Sequence, residues 1–169
     1  MLNGLTKRYR RLRTILYTAR VRRQAMAVHG RLTVNGYSSV NRSTVLGDNV
    51  NFNGLRVAGN GAVTIGANFH SGPDCLFITQ IHNYDHGEAV PYDGTYIFKP
   101  IVIEDNVWLG SRVIVLGGVT IGEGAIIQAG SCVVSDIPKY AIAGGHPAKP
   151  FRMRDVEHYE RLKKAGKFH

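Results

Sequence analysis

Six aliphatic residues stand six positions apart along the C-terminal half of the chain: Ile103, Leu109, Val115, Ile121, Ile127 and Val133. A second column keeps the same step four positions later, through Val107, Val113, Val119, Ala125, Ser131 and Ile137. Neither the 3.6-residue period of a helix nor the two-residue alternation of a strand preserves both columns. A short fixed period means that each unit buries its apolar face only by stacking on its neighbours, so the chain reads as a solenoid. The same ladder opens earlier with Val34, Val40, Leu46 and Phe52, accompanied by Ser38, Thr44 and Val50. Ile65 follows Phe52 by thirteen residues, one more than two hexads. Gly54 is the expected seat of the extra residue, since glycine accepts the backbone bend of a bulge. Ile65, Ser71 and Phe77 resume the step, but Ile103 comes 26 residues after Phe77, which is not a multiple of six. A loop over about 79–100 is therefore expected to leave the solenoid.

The 169 residues suffice for one domain with short appendages. The net charge of +9 is concentrated at one end, where ten basic residues from Lys7 to Arg42 precede the first acidic one, Asp48. The rest of the chain is nearly neutral, so the basic character belongs to an arm over residues 1–29. Leu5, Tyr9, Leu12, Leu16 and Ala19 follow steps of four and three, which predicts an amphipathic helix from about Leu5 to Met26. Three roles suit it: packing on its own coils or on a sister subunit, lying on an anionic lipid surface, or binding an acidic glycan or nucleic acid. No aromatic platform or nucleic-acid motif supports nucleic acid. Residues 30–150 carry the solenoid. Pro147 and Pro150 stop it, and residues 151–169 read as a short helix, acidic early and basic late, that caps its open end. Two cysteines, Cys75 and Cys132, are too few for a disulfide framework. With no span-length apolar run and no secretion signal, a cytoplasmic setting is expected, with the arm able to reach the inner face of the membrane.

The repeat itself, an aliphatic residue often followed by Gly or an acid and then by a small residue, is plain at Ile65-Gly66, Ile103-Glu104, Leu109-Gly110 and Ile121-Gly122. It resembles the hexapeptide-repeat acyltransferases. The stretches Val107-Trp108-Leu109-Gly110, Gly118-Val119-Thr120-Ile121-Gly122, Ala129-Gly130-Ser131 and Ala143-Gly144-Gly145-His146-Pro147-Ala148 look like the maltose, galactoside and surface-polysaccharide O-acetyltransferase branch. The resemblance covers about Leu32 to Arg152. It implies an all-β solenoid in the form of a left-handed parallel β-helix, and a homotrimer whose active sites lie between subunits. The usual right-handed crossover preference would have given the opposite hand.

The same resemblance assigns chemistry. His82 stands seventeen residues after the isoleucine of Thr64-Ile65-Gly66, where the family has its catalytic histidine. An imidazole is the natural base near neutral pH for a hydroxyl attacking a thioester. Trp108, the sole tryptophan, matches the family position at the acetyl-CoA groove, and Ser111 and Ala129 match positions lining the pantetheine track. Lys149 and Arg152 match the basic pair that holds the coenzyme phosphates, with Lys149 replacing the commoner arginine. Val134 and Ser135 stand where some relatives have a Thr-Lys pair. On the acceptor side Asn51, Asn53 and Asn60 are candidates, with Asp85 and His86 in the loop, and Asp85, Glu88 or Asp93 could orient His82. The implied function is acetyl-CoA-dependent O-acetylation of a sugar or surface-glycan precursor by direct transfer in a ternary complex, with no metal. N-acetylation of an amino sugar or an antibiotic, and a non-catalytic trimeric scaffold, are the alternatives. A γ-carbonic-anhydrase-like zinc site would need His70, His82 and His86 to converge, but their spacing does not match that family.

Overall fold

A computed structural model describes the backbone of residues 2–169 and the side chains of residues 4–169. Three parallel sheets enclose a single core. Sheet A stacks Ala27–Val28, Thr44–Leu46, Val63–Ile65, Ile101–Ile103 and Val119–Ile121. Sheet B stacks Leu32–Val34, Val50–Phe52, His70–Ser71, Trp108–Leu109, Ile126–Ile127 and Ala141–Gly145, and the antiparallel strand Ala148–Met153 closes it. Sheet C stacks Leu55–Ala58, Cys75–Ile78, Ile114–Leu116 and Cys132–Val133. The chain visits A, B and C in turn, so each circuit is a three-sided coil, and about 6 turns build a left-handed parallel β-helix.

The hexad is one side of that triangle. Ile103 pairs with Ile121, Leu109 with Ile127 and Val115 with Val133, one strand on each sheet and each pair three hexads apart. Both sequence columns point inward: every residue of the ladder from Ile103 to Val133 and of its companion from Val107 to Ile137 is buried. Each buried aliphatic side chain contributes roughly 1.5–3 kcal/mol, and because every residue touches the coils above and below, the contributions run the length of the solenoid. The glycine that follows the aliphatic residue has a steric cause. A Cβ on Gly110 would come 2.5 Å from the Ala129 nitrogen, and one on Gly122 2.5 Å from the Lys139 nitrogen.

The irregularity near Gly54 differs from expectation. Val57, paired with Phe77, occupies the ladder position five residues after Phe52, and Ile65 follows it by eight. One residue is thus missing beside Gly54, where the φ of 135° still requires glycine. Two are added at the next corner, where the Asn41 Nδ2 donates to the carbonyls of Gly59 and Gly61 at 2.8 Å each.

Both ends of the solenoid are covered. Helix α1, Leu2–Gln24, crosses the first coil with Val21 fully buried in the core. Thr18 Oγ1 and Gln24 Oε1 accept the Val34 and Val40 amides at 3.1 and 3.3 Å, so the helix satisfies an otherwise open strand edge. At the other end the cover is the hairpin formed by Ala141–Gly145 and Ala148–Met153, not the last helix. Helix α2, Val156–Lys164, is capped by Asp155, whose carboxylate accepts the His158 amide at 2.9 Å, and it turns back along the A–B edge. There Asn49, Asn68 and Asn106, all at positive φ, form a ladder of side-chain amides with 2.9 Å steps. Asn106 passes the ladder on to the Tyr159 hydroxyl at 2.8 Å, which donates to Glu123 at 2.9 Å, while Lys163 binds the same carboxylate. Burial works to raise the Glu123 pKa, but these partners hold it below the ordinary value.

Candidate active site

Opposite every coil strand of sheet B, one side chain faces outward. Asn51, His70, Trp108, Ile126, Ile142 and Arg152 succeed one another in register on neighbouring strands. Strands in a sheet lie about 4.8 Å apart, so Trp108 and Arg152 share one straight column roughly 14 Å long. Trp108 is 55% exposed and faces outward because it alternates with the buried Val107 and Leu109. The neighbouring B–C corner carries a second column. Ser111 and Ala129 stack there, linked by a 2.8 Å bond from the Gly130 amide to the Ser111 carbonyl. Gly145 lies above them, its amide bonded at 3.1 Å to Ser131 Oγ. Lys149 sits beside Gly144 on the closing strand. Lys149 and Arg152 are exposed, and neither makes a hydrogen bond or ion pair with another side chain among the described residues.

A groove of about 580 Å³ runs between sheet B and the segment from α2 onward, with Trp108, His70, Asn53, Tyr159 and Phe168 among its walls. That volume is within the range of small-molecule sites. Asn53 is held at its edge by a 2.8 Å bond to the Ser71 carbonyl, and Asn51 lies 3.4 Å from His70 Nε2. The His70 ring stacks on His169 at 5.2 Å, and burial together with the neighbouring imidazole lowers its pKa. His70 faces the groove as a hydrogen-bonding ring. The signal that could have placed it in the column is the spacing of nineteen residues from Asn51, three hexads plus the one residue by which that coil is lengthened.

His82 lies elsewhere. The insertion leaves between sheet C and sheet A, the prism edge opposite sheet B, as an antiparallel hairpin of Gln80–His82 against Tyr96–Phe98. His82 pairs in register with Tyr96 and is held between two aromatic rings, stacked on Tyr92 at 3.6 Å and inclined to Tyr96 at 4.6 Å. Its Nδ1 is buried and has no hydrogen-bond partner among the described residues. No hydrogen bond joins Asp85, Glu88 or Asp93 to it among the described residues. Asp93 instead ties the loop to itself, accepting the Glu88 amide at 2.9 Å, the Thr95 amide at 2.8 Å and the Thr95 hydroxyl at 2.6 Å. These bonds hold its pKa at about 2. Asn60 joins the same edge through a 3.3 Å bond from its amide to Gln80 Oε1, and Asp85 and His86 are exposed in the loop.

The candidate residues thus fall into two groups. Trp108, Ser111, Ala129, Lys149, Arg152, Asn51 and Asn53 lie on sheet B and its corner; His82, Asn60, Asp85 and His86 lie on the opposite edge. The tyrosine clamp on His82 escaped the sequence, because its members are ten and fourteen residues away in a stretch without period. His70 is on one group's face and His82 and His86 on the other's, and no cluster of three His, Cys, Asp or Glu able to hold a metal ion occurs among the described residues. Cys75 is buried, which pushes its thiol pKa up, and it bonds backbone carbonyls.

Comparison with known proteins bears on the whole scaffold. Residues 100–135 match the family described as bacterial transferase hexapeptide (six repeats). The galactoside O-acetyltransferase of Escherichia coli is 38% identical over 112 residues, which are 64% of this chain and 54% of that protein. A protein named as an acetyltransferase in Schizosaccharomyces pombe is 46% identical over 95 residues, 56% of this chain and 45% of its own length. The chain thus spans about half the length of the curated relatives it matches. Among solved structures, a hexapeptide-repeat acetyltransferase from Vibrio cholerae complexed with acetyl coenzyme A superposes with a TM-score of 0.67 at 29% identity, covering 78% of this chain and 73% of that one. A galactoside acetyltransferase in complex with coenzyme A superposes with a TM-score of 0.71 at 32% identity, covering 82% of this chain and 70% of the other. Sequence, register and superposition agree, and the chain belongs to the hexapeptide-repeat acyltransferase family.

Proposed function

We propose that the protein is an acetyl-CoA-dependent O-acetyltransferase acting on a sugar or surface-glycan precursor in the cytoplasm, as a homotrimer in which each site joins sheet B of one subunit to the hairpin of the next. The observation that carries this reading is the split arrangement. An exposed indole lines a groove on one face, Lys149 and Arg152 lie beyond that groove at the closing strand of the same sheet, and a clamped imidazole lies on the opposite edge, so a single copy holds two half-sites that only a neighbouring copy can unite. The relatives that bind acetyl-CoA or CoA support the cosubstrate. The residues present fit it: Trp108 offers a wall for the pantetheine arm, the small side chains of Ser111 and Ala129 leave the corner open, and Lys149 and Arg152 offer charge for phosphates.

In this reading His82 accepts the proton of an acceptor hydroxyl as that oxygen attacks the thioester carbonyl. A main-chain N–H at the Ser111 corner faces the charge that develops on the carbonyl oxygen. Cleavage of the carbon–sulfur bond expels the thiolate, and His82 returns its proton to sulfur, leaving an O-acetyl ester and free CoA. The buried, carbonyl-bound Cys75 is badly disposed to carry the acyl group, which favours direct transfer. Asn51, Asn53 and Asn60, with Asp85 and His86, would meet the acceptor. Thiol release from acetyl-CoA across sugars, amino sugars and nucleotide sugars tests the reading. Acceptor-dependent release is expected with a hydroxyl acceptor; release only with amino sugars would move the assignment to N-acetylation. No release with any acceptor, and no CoA binding by calorimetry, would leave a scaffold.

A further inference from the structure

Helix α1 has two faces, and the structure uses the one that the spacing of its large apolar residues does not mark. Its solenoid side consists of Thr14, Tyr17, Thr18, Val21 and Gln24. At 100° per residue, the stripe of Leu5, Tyr9, Leu12 and Leu16 lies roughly on the other side of the wheel. These four side chains are 74%, 65%, 56% and 59% exposed, and Ile15 at the stripe's margin is 56% exposed. Every described side chain from residue 4 to 12 is exposed, so half the helix projects beyond the coils. Eight cations and no acidic residue lie along the helix. On the projecting half Lys7, Arg8, Arg10 and Arg11 have no hydrogen-bond or ion-pair partner among the described residues.

We propose that α1 docks the protein on an anionic lipid surface, with the leucine stripe entering the headgroup boundary and the arginines pairing with phosphates. Charge complementarity selects this occupant. Arg8 borders the stripe and Lys7, Arg10 and Arg11 lie farther round the wheel, so the apolar stripe sits in a polar surface whose charge is wholly cationic, which matches a surface that is apolar within and anionic at its border. Each cation held near such a surface multiplies binding by about fivefold. A projecting half-helix whose described side chains are all exposed is marginal in water, and docking on the bilayer supplies the burial it lacks. Stripe-to-stripe packing of two copies would instead press together two helices without an acidic side chain between them, which charge repulsion opposes. The solenoid end of the helix is already anchored by Val21, so α1 can dock without disturbing the coils. The proposal stands apart from the acetyl-transfer reading, since no α1 residue belongs to either half-site.

Sedimentation of the full chain with vesicles tests it, using phosphatidylcholine alone and phosphatidylcholine mixed with phosphatidylglycerol. The protein is expected to pellet with the mixed vesicles, to stay in solution with the neutral ones, and to be released by salt. The pair Leu12→Ser and Leu16→Ser is expected to weaken binding by about tenfold or more, and the set Lys7→Gln, Arg8→Gln, Arg10→Gln and Arg11→Gln to abolish it. All these side chains are exposed, so circular dichroism should not change. Failure of the wild type to pellet with anionic vesicles at low salt overturns the proposal. So does retention of full binding by the leucine pair, which would make the contact purely ionic. A fall in assembly mass by sedimentation velocity in the leucine pair, without vesicle binding by the wild type, would assign the stripe to subunit packing.

Discussion

The stretch from Ile101 to Val133 and the hairpin that precedes it are built on opposite terms. In the first, every strand pairs with the coil before it, four of the six also pair with a strand of the coil after it, and two columns of side chains are buried without exception. In the second, one three-residue ladder and the Asp93 carboxylate hold some twenty inserted residues, most of them exposed. The coil is over-determined and leaves no freedom for chemistry on its inner side. The hairpin contributes little to the fold, and for that reason it can present an imidazole between two tyrosines.

The comparison is sharpest in a pair of substitutions. His82→Ala is expected to lower turnover by about 10²–10⁴-fold, the usual contribution of a positioned general base, with the urea midpoint and CoA affinity unchanged. Ile121→Ala removes a fully buried side chain and is expected to cost about 3 kcal/mol of stability, seen as a lower urea midpoint. Should the hairpin variant unfold early, or the coil variant keep its midpoint, the division between the regions would not hold. A smaller effect is expected at the end of sheet B. Arg152→Ala should raise the KM for acetyl-CoA roughly tenfold with kcat little changed, and Arg152→Lys should recover part of it, since charge without the guanidinium fork remains. An equal fall in kcat would mean that Arg152 acts on the transition state and not on the phosphates.

What the sequence disclosed follows the same division. The columns and the outward place of Trp108 could be read because a fixed period repeats one environment many times, so a single residue such as Leu109 is corroborated by its neighbours. The corner at 59–61 could not be read, because Asn41 stabilises two additional residues from a coil away. The face of α1 was missed for a related reason. Leu5, Leu12 and Leu16 look like core, but the strand edge of the first coil needed acceptors for its amides, and Thr18 and Gln24 supply them. A ring stacked on His82 across an antiparallel register leaves no periodic trace, so the surroundings of the proposed base were the least visible part of the candidate site.

The smallest effect isolates what orders the hairpin. Asp93 uses both carboxylate oxygens: Oδ1 accepts the Thr95 amide and hydroxyl, and Oδ2 accepts the Glu88 amide. Its pKa of about 2 lies below the ordinary aspartate value of 3.8, so the contribution is fully present above about pH 4 and is lost as pH falls through about 2. In Asp93→Asn one oxygen remains for Thr95, while the amide nitrogen that replaces the other would face the Glu88 N–H, donor against donor. Hydrogen-exchange protection is therefore expected to fall several-fold at the Glu88 amide and to persist at Thr95. The coil amides and the urea midpoint should not move, because the bonds lost belong to an exposed loop that unfolds locally. Acidifying the wild type should release both amides together, since protonation removes the charge from both oxygens. If Asp93→Asn loosened coil amides as well, the hairpin would be part of the cooperative unit, and its independence from the ladder would have to be abandoned.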